Sequence, residues 1–194
     1  TEETDGCAVD GVEIRVVDDA RHEVPHGQEG EEASRGPQVF VGYWGEPEMT
    51  ARALDADGWY YSGDYCRTDS EGRYIRITGR KKDIIVRGGE NISSREVEDI
   101  VLEYPGVREA AVVAMPDERL GERSCACVSM RPGAPALHLT DLVAFFDGRR
   151  VAKYKFPEYL VVLDALPRTS SGKLQKFALA RMVRERVAAG QPSD

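Results

Sequence analysis

The stretch 79–98, GRKKDIIVRGGENISSREVE, constrains the fold more than any other part of the chain. A basic cluster precedes apolar residues of strand length, a glycine pair follows, and Ser93 then forms a capping box with Glu96. Apolar residues next recur with helical spacing at Val97, Ile100, Val101 and Tyr104. The pattern predicts a short strand, a turn at Gly88 and Gly89 that joins this strand to a helix, and a helix with one apolar face.

The segments on either side of this stretch have different patterns. Before it, alternating apolar residues and closely spaced turns predict strands, with one short helix at 46–54. After it, the predicted order is helix, strand, strand, helix, strand, helix, with strands at 110–114, 124–130 and 158–163. The apolar face of the last helix is predicted to consist of Leu174, Phe177, Ala178 and Met182. The predicted fold class is α+β.

Composition excludes several classes of function. The 194 residues carry 26 Lys and Arg against 34 Asp and Glu, a formal net charge of -8, whereas nucleic acids and anionic membranes both require a basic face. Cys125 and Cys127 are expected to be buried free thiols on one face of a strand, and without a CxxC pair no metal site is predicted. No apolar run approaches twenty residues, so we expect no membrane span and a reduced, cytoplasmic location.

Two further segments carry candidate chemistry. The SGD triplet ending at Asp64 predicts a tight turn, where a carboxylate either accepts hydrogen bonds from two vicinal hydroxyls or ends a strand in an Asx turn. The segment 167–176, PRTSSGKLQK, places Lys173 where it can open a helix. It is not a nucleotide-binding P-loop, because Pro167 stands where the first glycine is required and Leu174 replaces the magnesium-binding Ser or Thr.

In their order along the chain, these segments resemble the motifs of AMP-forming acyl-CoA synthetases, which belong to the adenylate-forming family. The stretch 79–98 resembles the signature that joins the large and small domains of that family. The resemblance implies a β-rich end of the large AMP-binding domain at 1–80, a hinge at 81–83 and a small α+β domain at 84–187. The last residues, 188–194, have the sequence AAGQPSD and are predicted to be a disordered tail. The sequences GGEN and KYKFPE are more similar to acyl-CoA synthetases than to peptide-synthetase adenylation domains.

The resemblance also implies roles for individual residues in adenylate formation. Asp64 and Arg80 would hold the ribose of ATP or AMP, and Lys82 would be the hinge residue, although a surface lysine on a hairpin has the same pattern. Lys173 would be the catalytic residue, contacting the carboxylate and the α-phosphate together. An exposed lysine at a plain helix N-terminus is the alternative interpretation of Lys173.

A second set of residues would serve thioester formation. Gly88, Gly89 and Glu90, together with Asn91, are implied to line a face against which the pantetheine arm of CoA lies. The alternative for the glycines is a bulge that leads into the capped helix. Basic residues that would contact the phosphates of CoA, or simply form the solvated end of a helix, are Arg149, Arg150, Lys153 and Lys155.

The phosphate loop of the family and the segment that binds adenine and magnesium are not found in this sequence. The chain is therefore expected to be the last third of a ligase that activates a carboxylic acid, a fatty or other small organic acid, with ATP to an acyl-adenylate and transfers the acyl group to CoA. Alone it is expected to be inactive, because the ATP phosphates and Mg²⁺ would be bound by a missing upstream segment. Two alternatives remain: an adenylation domain that loads a carrier protein, and a non-catalytic binding or regulatory module with the same fold.

Overall fold

The computed structural model describes residues 4–188. The chain divides into two compact units, and the boundary between them along the chain lies between Lys82 and Asp83. The residues of the predicted hinge form a 3-10 turn, Lys81–Asp83. The predicted tail at 188–194 lies outside the described residues, apart from Ala188, at which the last helix ends.

The first unit is built on an antiparallel sheet of four strands in the order β1-β2-β3-β4. The strands are β1 (Glu13–Val17), β2 (Gly30–Arg35), β3 (Tyr60–Thr68) and β4 (Ile75–Arg80). The short helix predicted at 46–54 is confirmed as α1 (Pro47–Ala53). The first unit has a small buried core that consists of Val17, Ala33, Trp59 and Tyr61.

Strand β2 was missed by the sequence analysis, although it lies between β1 and β3. Its sequence is GEEASR, in which only Gly30 and Ala33 are buried. The side chains of Glu31 and Glu32 are half-buried, so this strand lacks the apolar alternation that identifies its neighbours. Its pairing is set by backbone hydrogen bonds to both neighbouring strands.

In its described residues, 83–188, the second unit has a five-stranded sheet and three helices, which confirms the α+β class. A hairpin of β5 (Ile84–Arg87) and β6 (Glu90–Ser93) precedes the long antiparallel pair β7 (Val107–Asp117) and β8 (Gly121–Met130). Strand β9 (Tyr159–Val162) lies parallel to β8. The helices are α2 (Ser94–Leu102), α3 (Leu139–Gly148) and α4 (Lys176–Ala188). From α2 onward, the predicted order of helices and strands is confirmed.

Apolar side chains cover both faces of the β7-β8 pair, which explains the continuous apolar runs in its sequence. On one face, Val112 and Val128 belong to a core that includes Val97 of α2 and Phe146 of α3. The opposite face carries a separate core formed with α4. Cys125 and Cys127 lie in that second core, and both are buried free thiols as predicted.

The apolar face predicted for α4 is only partly correct: Leu174 and Met182 pack against the second core, but Phe177 is exposed. The helix buries Leu179 and Val183, whereas Phe177 is 82% exposed and Leu174 lies before the first turn. Between 177 and 183 the sequence is apolar except for Arg181, so the residue pattern does not identify which side faces the sheet. Packing against the sheet buries Leu179 and Val183, which are four residues apart and therefore lie on the same side of the helix.

Candidate functional site

In the first unit, Asp64 and Arg80 are paired across β3 and β4. The Nε of Arg80 lies 2.9 Å from Oδ1 of Asp64, and 45% and 31% of the two side chains, respectively, are exposed. The carboxylate and the guanidinium therefore neutralise each other and remain open to a ligand. A half-exposed pair of this kind can accept hydrogen bonds from hydroxyls and donate to oxyanions.

The SGD triplet does not end a strand, so the Asx-turn interpretation of Asp64 is wrong. Residues 62–64 bulge within β3 opposite Glu32, between the pairs Glu31↔Tyr65 and Ala33↔Tyr61. Gly63 has a φ of 74°, and its N–H donates to Oε1 of Glu31 at 3.0 Å. A bulge of this kind changes the direction of the next side chain, which here is Asp64.

The two neighbouring lysines of the GRKK sequence differ in their contacts. The ammonium of Lys81 lies 2.8 Å from Asp19 and 3.0 Å from Glu31, and its hydrogen bond to Asp19 raises its pKa. Lys82 is exposed, and the described part of the chain gives it no carboxylate partner. Both side chains are exposed, so Lys82 differs from Lys81 in being free of ion pairs within the described residues, which suits a residue that has to change its backbone conformation.

In the second unit, Gly88 and Gly89 form the two-residue loop of the β5-β6 hairpin, which we call the glycine turn. Arg87 pairs with Glu90, and the two glycines have φ values of 59° and 90°, the left-handed conformations that such a loop requires. The turn joins strand to strand, so the predicted strand-to-helix connection and the bulge alternative are both wrong. The capped helix starts after β6, where the N–H of Glu96 donates to Oγ of Ser93.

The glycine turn is open on its outer side. A Cβ built on Gly89 would meet no atom within 4 Å, and one on Gly88 would lie 3.4 Å from Leu120. Glu90 and Asn91 are exposed beside it. The turn therefore presents backbone and free space, with no bulky side chain at its tip.

Charged residues from distant positions hold the base of this hairpin. Nε and Nη2 of Arg87 each donate to Glu158 at 2.9 Å, and Arg123 lies 3.3 Å from the same carboxylate. The N–H of Gly88 donates to the carbonyl of Leu120 at 2.7 Å. These contacts fix the glycine turn against the loop between β7 and β8.

Lys173 does not open a helix, and this part of the prediction is wrong. It lies in a tight turn closed by a bridge between Arg168 and Leu174, and α4 begins only at Lys176. We call residues 169–173 the lysine turn. A proline and a glycine flank the two serines, so the backbone bends back on itself before the helix can start.

Hydrogen bonds within the lysine turn define its backbone. The N–H of Thr169 donates to the carbonyl of Lys173 at 2.8 Å, and that of Gly172 donates to the carbonyl of Thr169 at 2.9 Å. The N–H of Lys173 donates to Oγ1 of Thr169 at 3.0 Å. The Lys173 side chain is exposed, and no carboxylate within residues 4–188 pairs with it.

The residue that begins α4, Lys176, is anchored instead. Its ammonium lies 2.7 Å from Glu98, 2.8 Å from Oγ of Ser94 and 3.6 Å from Asp83. Glu98 is buried and accepts the N–H of Val112 at 2.7 Å. Burial raises the pKa of Glu98, against the opposing effect of Lys176. Lys176 therefore ties the start of α4 to α2 and to the 3-10 turn.

The basic residues considered for the phosphates of CoA fall into two classes. Arg149 pairs with Glu103 at 2.9 Å and stacks on Phe145, and Lys155 binds Glu96 at 2.6 Å. Arg150 and Lys153 are exposed, without a carboxylate partner in the described ranges. Only these last two side chains present an unneutralised charge.

Within residues 4–188, no group of three or more His, Cys, Asp or Glu side chains is placed to hold a metal ion. In the same part of the chain, no helix is long and apolar enough to cross a membrane.

Comparison with known proteins identifies the family. Residues 96–173 match the AMP-binding enzyme C-terminal domain. The chain belongs to the adenylate-forming enzymes. In this family, the medium-chain fatty-acid–CoA ligase of Escherichia coli is 66% identical over 184 residues, which are 95% of this chain and 32% of that protein. The mitochondrial medium-chain acyl-CoA ligase ACSF2 of Mus musculus is 42% identical over 81% of this chain and 25% of its own length.

Solved structures of adenylate-forming enzymes have the same fold. ATP-bound MatB from Rhodopseudomonas palustris superposes with a TM-score of 0.87 at 36% identity, over 94% of this chain and 36% of that one. The o-succinylbenzoate CoA synthetase of Bacillus subtilis, in complex with its acyl-adenylate intermediate, superposes with a TM-score of 0.79 at 30% identity. The match covers 90% of this chain and 35% of that one. The chain spans about a third of the length of these relatives.

Several residues that shape the site were missed by the sequence analysis. They are Arg87, Glu98, Glu109, Glu158, Arg168 and Lys176. These six residues form three ion pairs, Arg87–Glu158, Arg168–Glu109 and Lys176–Glu98, whose members lie 71, 59 and 78 positions apart along the chain, so local patterns do not pair them. One local signal existed, since Glu98 falls on the same helical face as Val97 and Val101, and a carboxylate on an apolar face requires a partner.

Proposed function

We propose that this chain is part of an AMP-forming ligase that activates a carboxylic acid with ATP and transfers the acyl group to CoA. Identity of 66% with a medium-chain fatty-acid–CoA ligase supports this activity and favours a medium-chain fatty acid as the substrate. The observation that carries the proposal is the exposed Lys173 ammonium on a turn whose flanking residues are anchored. ATP and CoA are cytoplasmic metabolites, so we also propose a cytoplasmic location.

In the first half-reaction, an oxygen of the substrate carboxylate attacks the α-phosphorus of ATP and pyrophosphate leaves. Negative charge builds on the α-phosphate oxygens, and the Lys173 ammonium would stabilise it. Asp64 would accept hydrogen bonds from the ribose hydroxyls while Arg80 holds its carboxylate in place at 2.9 Å. The Mg²⁺ that accompanies ATP would be held by residues outside this chain, and its charge would assist the departure of pyrophosphate.

In the second half-reaction, the thiol of CoA attacks the acyl carbonyl and AMP leaves. The glycine turn would give the pantetheine arm room to lie along the backbone, and the exposed Glu90 stands beside it. Lys82 would serve as the hinge about which the second unit rotates, so that it presents a different surface in each half-reaction. Arg150 and Lys153, which have no carboxylate partner among the described residues, would contact the phosphates of CoA.

A non-catalytic module would not account for Lys173. Within the described residues its side chain makes no contact that stabilises the fold, whereas Lys81, Lys155 and Lys176 are all paired with carboxylates. Asp64 and Arg80 likewise remain partly exposed. These features favour a ligase, but a pantetheine arm on a carrier protein would fit the same face, so the acceptor has to be tested.

The experiment is an ATP-dependent ligation assay with medium-chain, long-chain and aromatic acids, and with either CoA or a pantetheinylated carrier protein. It compares this chain with the same chain joined to the upstream segment of its relatives. We expect CoA ligation in the extended protein alone, fastest with medium-chain acids, and a loss of about 100-fold in Lys173→Ala. Arg184→Ala, which removes an exposed charge from α4, is the control and should stay active. Acylation of the carrier alone would indicate an adenylation domain, and no activity in either form would favour the binding module.

A further inference from the structure

Arg168 joins the lysine turn to the sheet through both ends of its guanidinium. Nη1 donates to the carbonyl of Gly172 at 2.7 Å, directly before Lys173 in the chain. Nη2 makes an ion pair with Glu109 on β7. A planar guanidinium fixes the direction of both contacts at once, which a single ammonium cannot do.

Glu109 is itself held in place. Its Oε2 accepts from Oγ of Ser129 at 3.0 Å, and Nη2 of Arg108 lies 3.5 Å from the same oxygen. The hydrogen bond from Arg168 lowers the pKa of Glu109, so the carboxylate stays ionised at neutral pH. Arg168 is therefore bound to a fixed charge on β7.

The tip of the lysine turn contributes no side chain to the apolar core, although Leu174, directly after the turn, packs against the core formed with α4. Residues 170–173 are all exposed, and no Cβ at Gly172 would meet another atom within 4 Å. The internal hydrogen bonds of the turn define its shape, but they do not fix it against the sheet. Arg168, the residue directly before the turn, makes that connection through its side chain.

We propose that Arg168 is a positioning residue, which sets the place of the Lys173 ammonium during adenylate formation by holding the Gly172 carbonyl to Glu109. This inference rests on the proposed role of Lys173. A displacement of about 1 Å at a reacting group costs up to about 100-fold in rate. Loss of the guanidinium should therefore slow the first half-reaction and spare the second, which uses the glycine turn.

The test measures both half-reactions in the protein that carries this chain and its upstream segment. Acid-dependent ATP–pyrophosphate exchange reports adenylate formation, and CoA acylation from supplied acyl-adenylate reports the second step. For Arg168→Met we expect kcat of exchange to fall about 10- to 100-fold with little change in the KM for ATP, and acylation to stay within about twofold. Arg168→Lys should be intermediate, since lysine reaches one of the two partners. Arg184→Met is the matched control.

Three outcomes would overturn or redirect the inference. Unchanged exchange in Arg168→Met, together with a large loss in Lys173→Ala, would refute the positioning role and leave the proposed function intact. A parallel loss of both half-reactions with a lower melting temperature would assign Arg168 to general stability instead. Full exchange activity in Lys173→Ala would refute the role of Lys173 itself, and the inference with it.

Discussion

The glycine turn and the lysine turn are both anchored by ion pairs at their flanks, but they present different groups at their tips. The glycine turn takes its shape from backbone conformation, with φ values of 59° and 90° that glycine adopts without strain. The lysine turn is fixed through side chains on both flanks, Arg168 on one and Lys176 on the other. One turn offers space and carries no side chain at its tip, while the other offers a charge that its neighbours leave unpaired. In the lysine turn, Arg168 and Lys176 make the ion pairs that hold the backbone, whereas Lys173 between them keeps its charge available for a ligand.

Lys173 and Lys176 give the largest expected contrast in stability. Replacing Lys176 with Met leaves the buried carboxylate of Glu98 without its ammonium, so we expect the free energy of unfolding to fall by about 2–4 kcal/mol. Lys173→Met, the control three residues away, should change it by less than about 0.5 kcal/mol. Urea unfolding followed by circular dichroism measures both. Equal losses in the two variants would mean that Lys173 is also an anchor.

In the glycine turn, backbone strain should give a smaller loss. Gly89 has a φ of 90° and open space around it, so Gly89→Val adds strain of about 1–2 kcal/mol without a collision. Gly88→Asn is the control, because asparagine is accepted at φ near 59° in this type of hairpin loop. Thermal unfolding of the two variants tests the assignment. A loss in Gly88→Asn as large as in Gly89→Val would show that the turn does not depend on glycine in this way.

The smallest expected effect is a pH dependence with opposite signs at the two anchors of the lysine turn. Burial raises the folded-state pKa of Glu98 above its ordinary value of 4.5, so its contribution to stability is full below pH 4.5 and is lost as the pH rises through the raised pKa. The hydrogen bond from Arg168 lowers the pKa of Glu109, so that contribution is present above pH 4.5 and is lost as the pH falls.

Unfolding measured between pH 3 and 7, in the range where these carboxyls titrate, therefore separates the two variants. As the pH rises, the wild type should lose stability relative to Glu98→Gln. Over the same interval it should gain stability relative to Glu109→Gln. The same trend in both comparisons would contradict the assigned causes of the two pKa shifts.

Strong local patterns predicted most of the second unit. The local signals were the capping box, the helical spacing of Val97 and Val101, and the apolar runs of β7 and β8. In the structure, the apolar residues of these elements are buried in the core. Strand β2 was missed because its residues are polar, and its position depends on pairing with two distant strands. The face of α4 was predicted only in part, because nearly every position in its first turns is apolar and packing on the sheet decides which residues are buried.

Most of the candidate site residues were predicted from motifs, and their surroundings were not. The sequence indicated Asp64, Arg80, Lys173 and the glycine pair, and their roles remain proposals. It did not indicate that Lys173 precedes α4 or that Arg168 and Lys176 hold its turn, because these contacts depend on side chains far apart in the chain. The residues that form a turn are neighbours in the sequence, so the sequence predicts the turn. The partners of an ion pair are distant in the sequence, so only the folded structure identifies them.

The most direct test measures both half-reactions in Lys173→Ala and Gly89→Val, in the protein that includes the upstream segment. Lys173→Ala should lower ATP–pyrophosphate exchange about 100-fold or more and keep CoA acylation from supplied acyl-adenylate within about threefold of wild type. Gly89→Val should do the reverse, with acylation reduced and exchange kept. If both variants lower both half-reactions by similar factors, the two turns do not serve separate steps and the account is wrong.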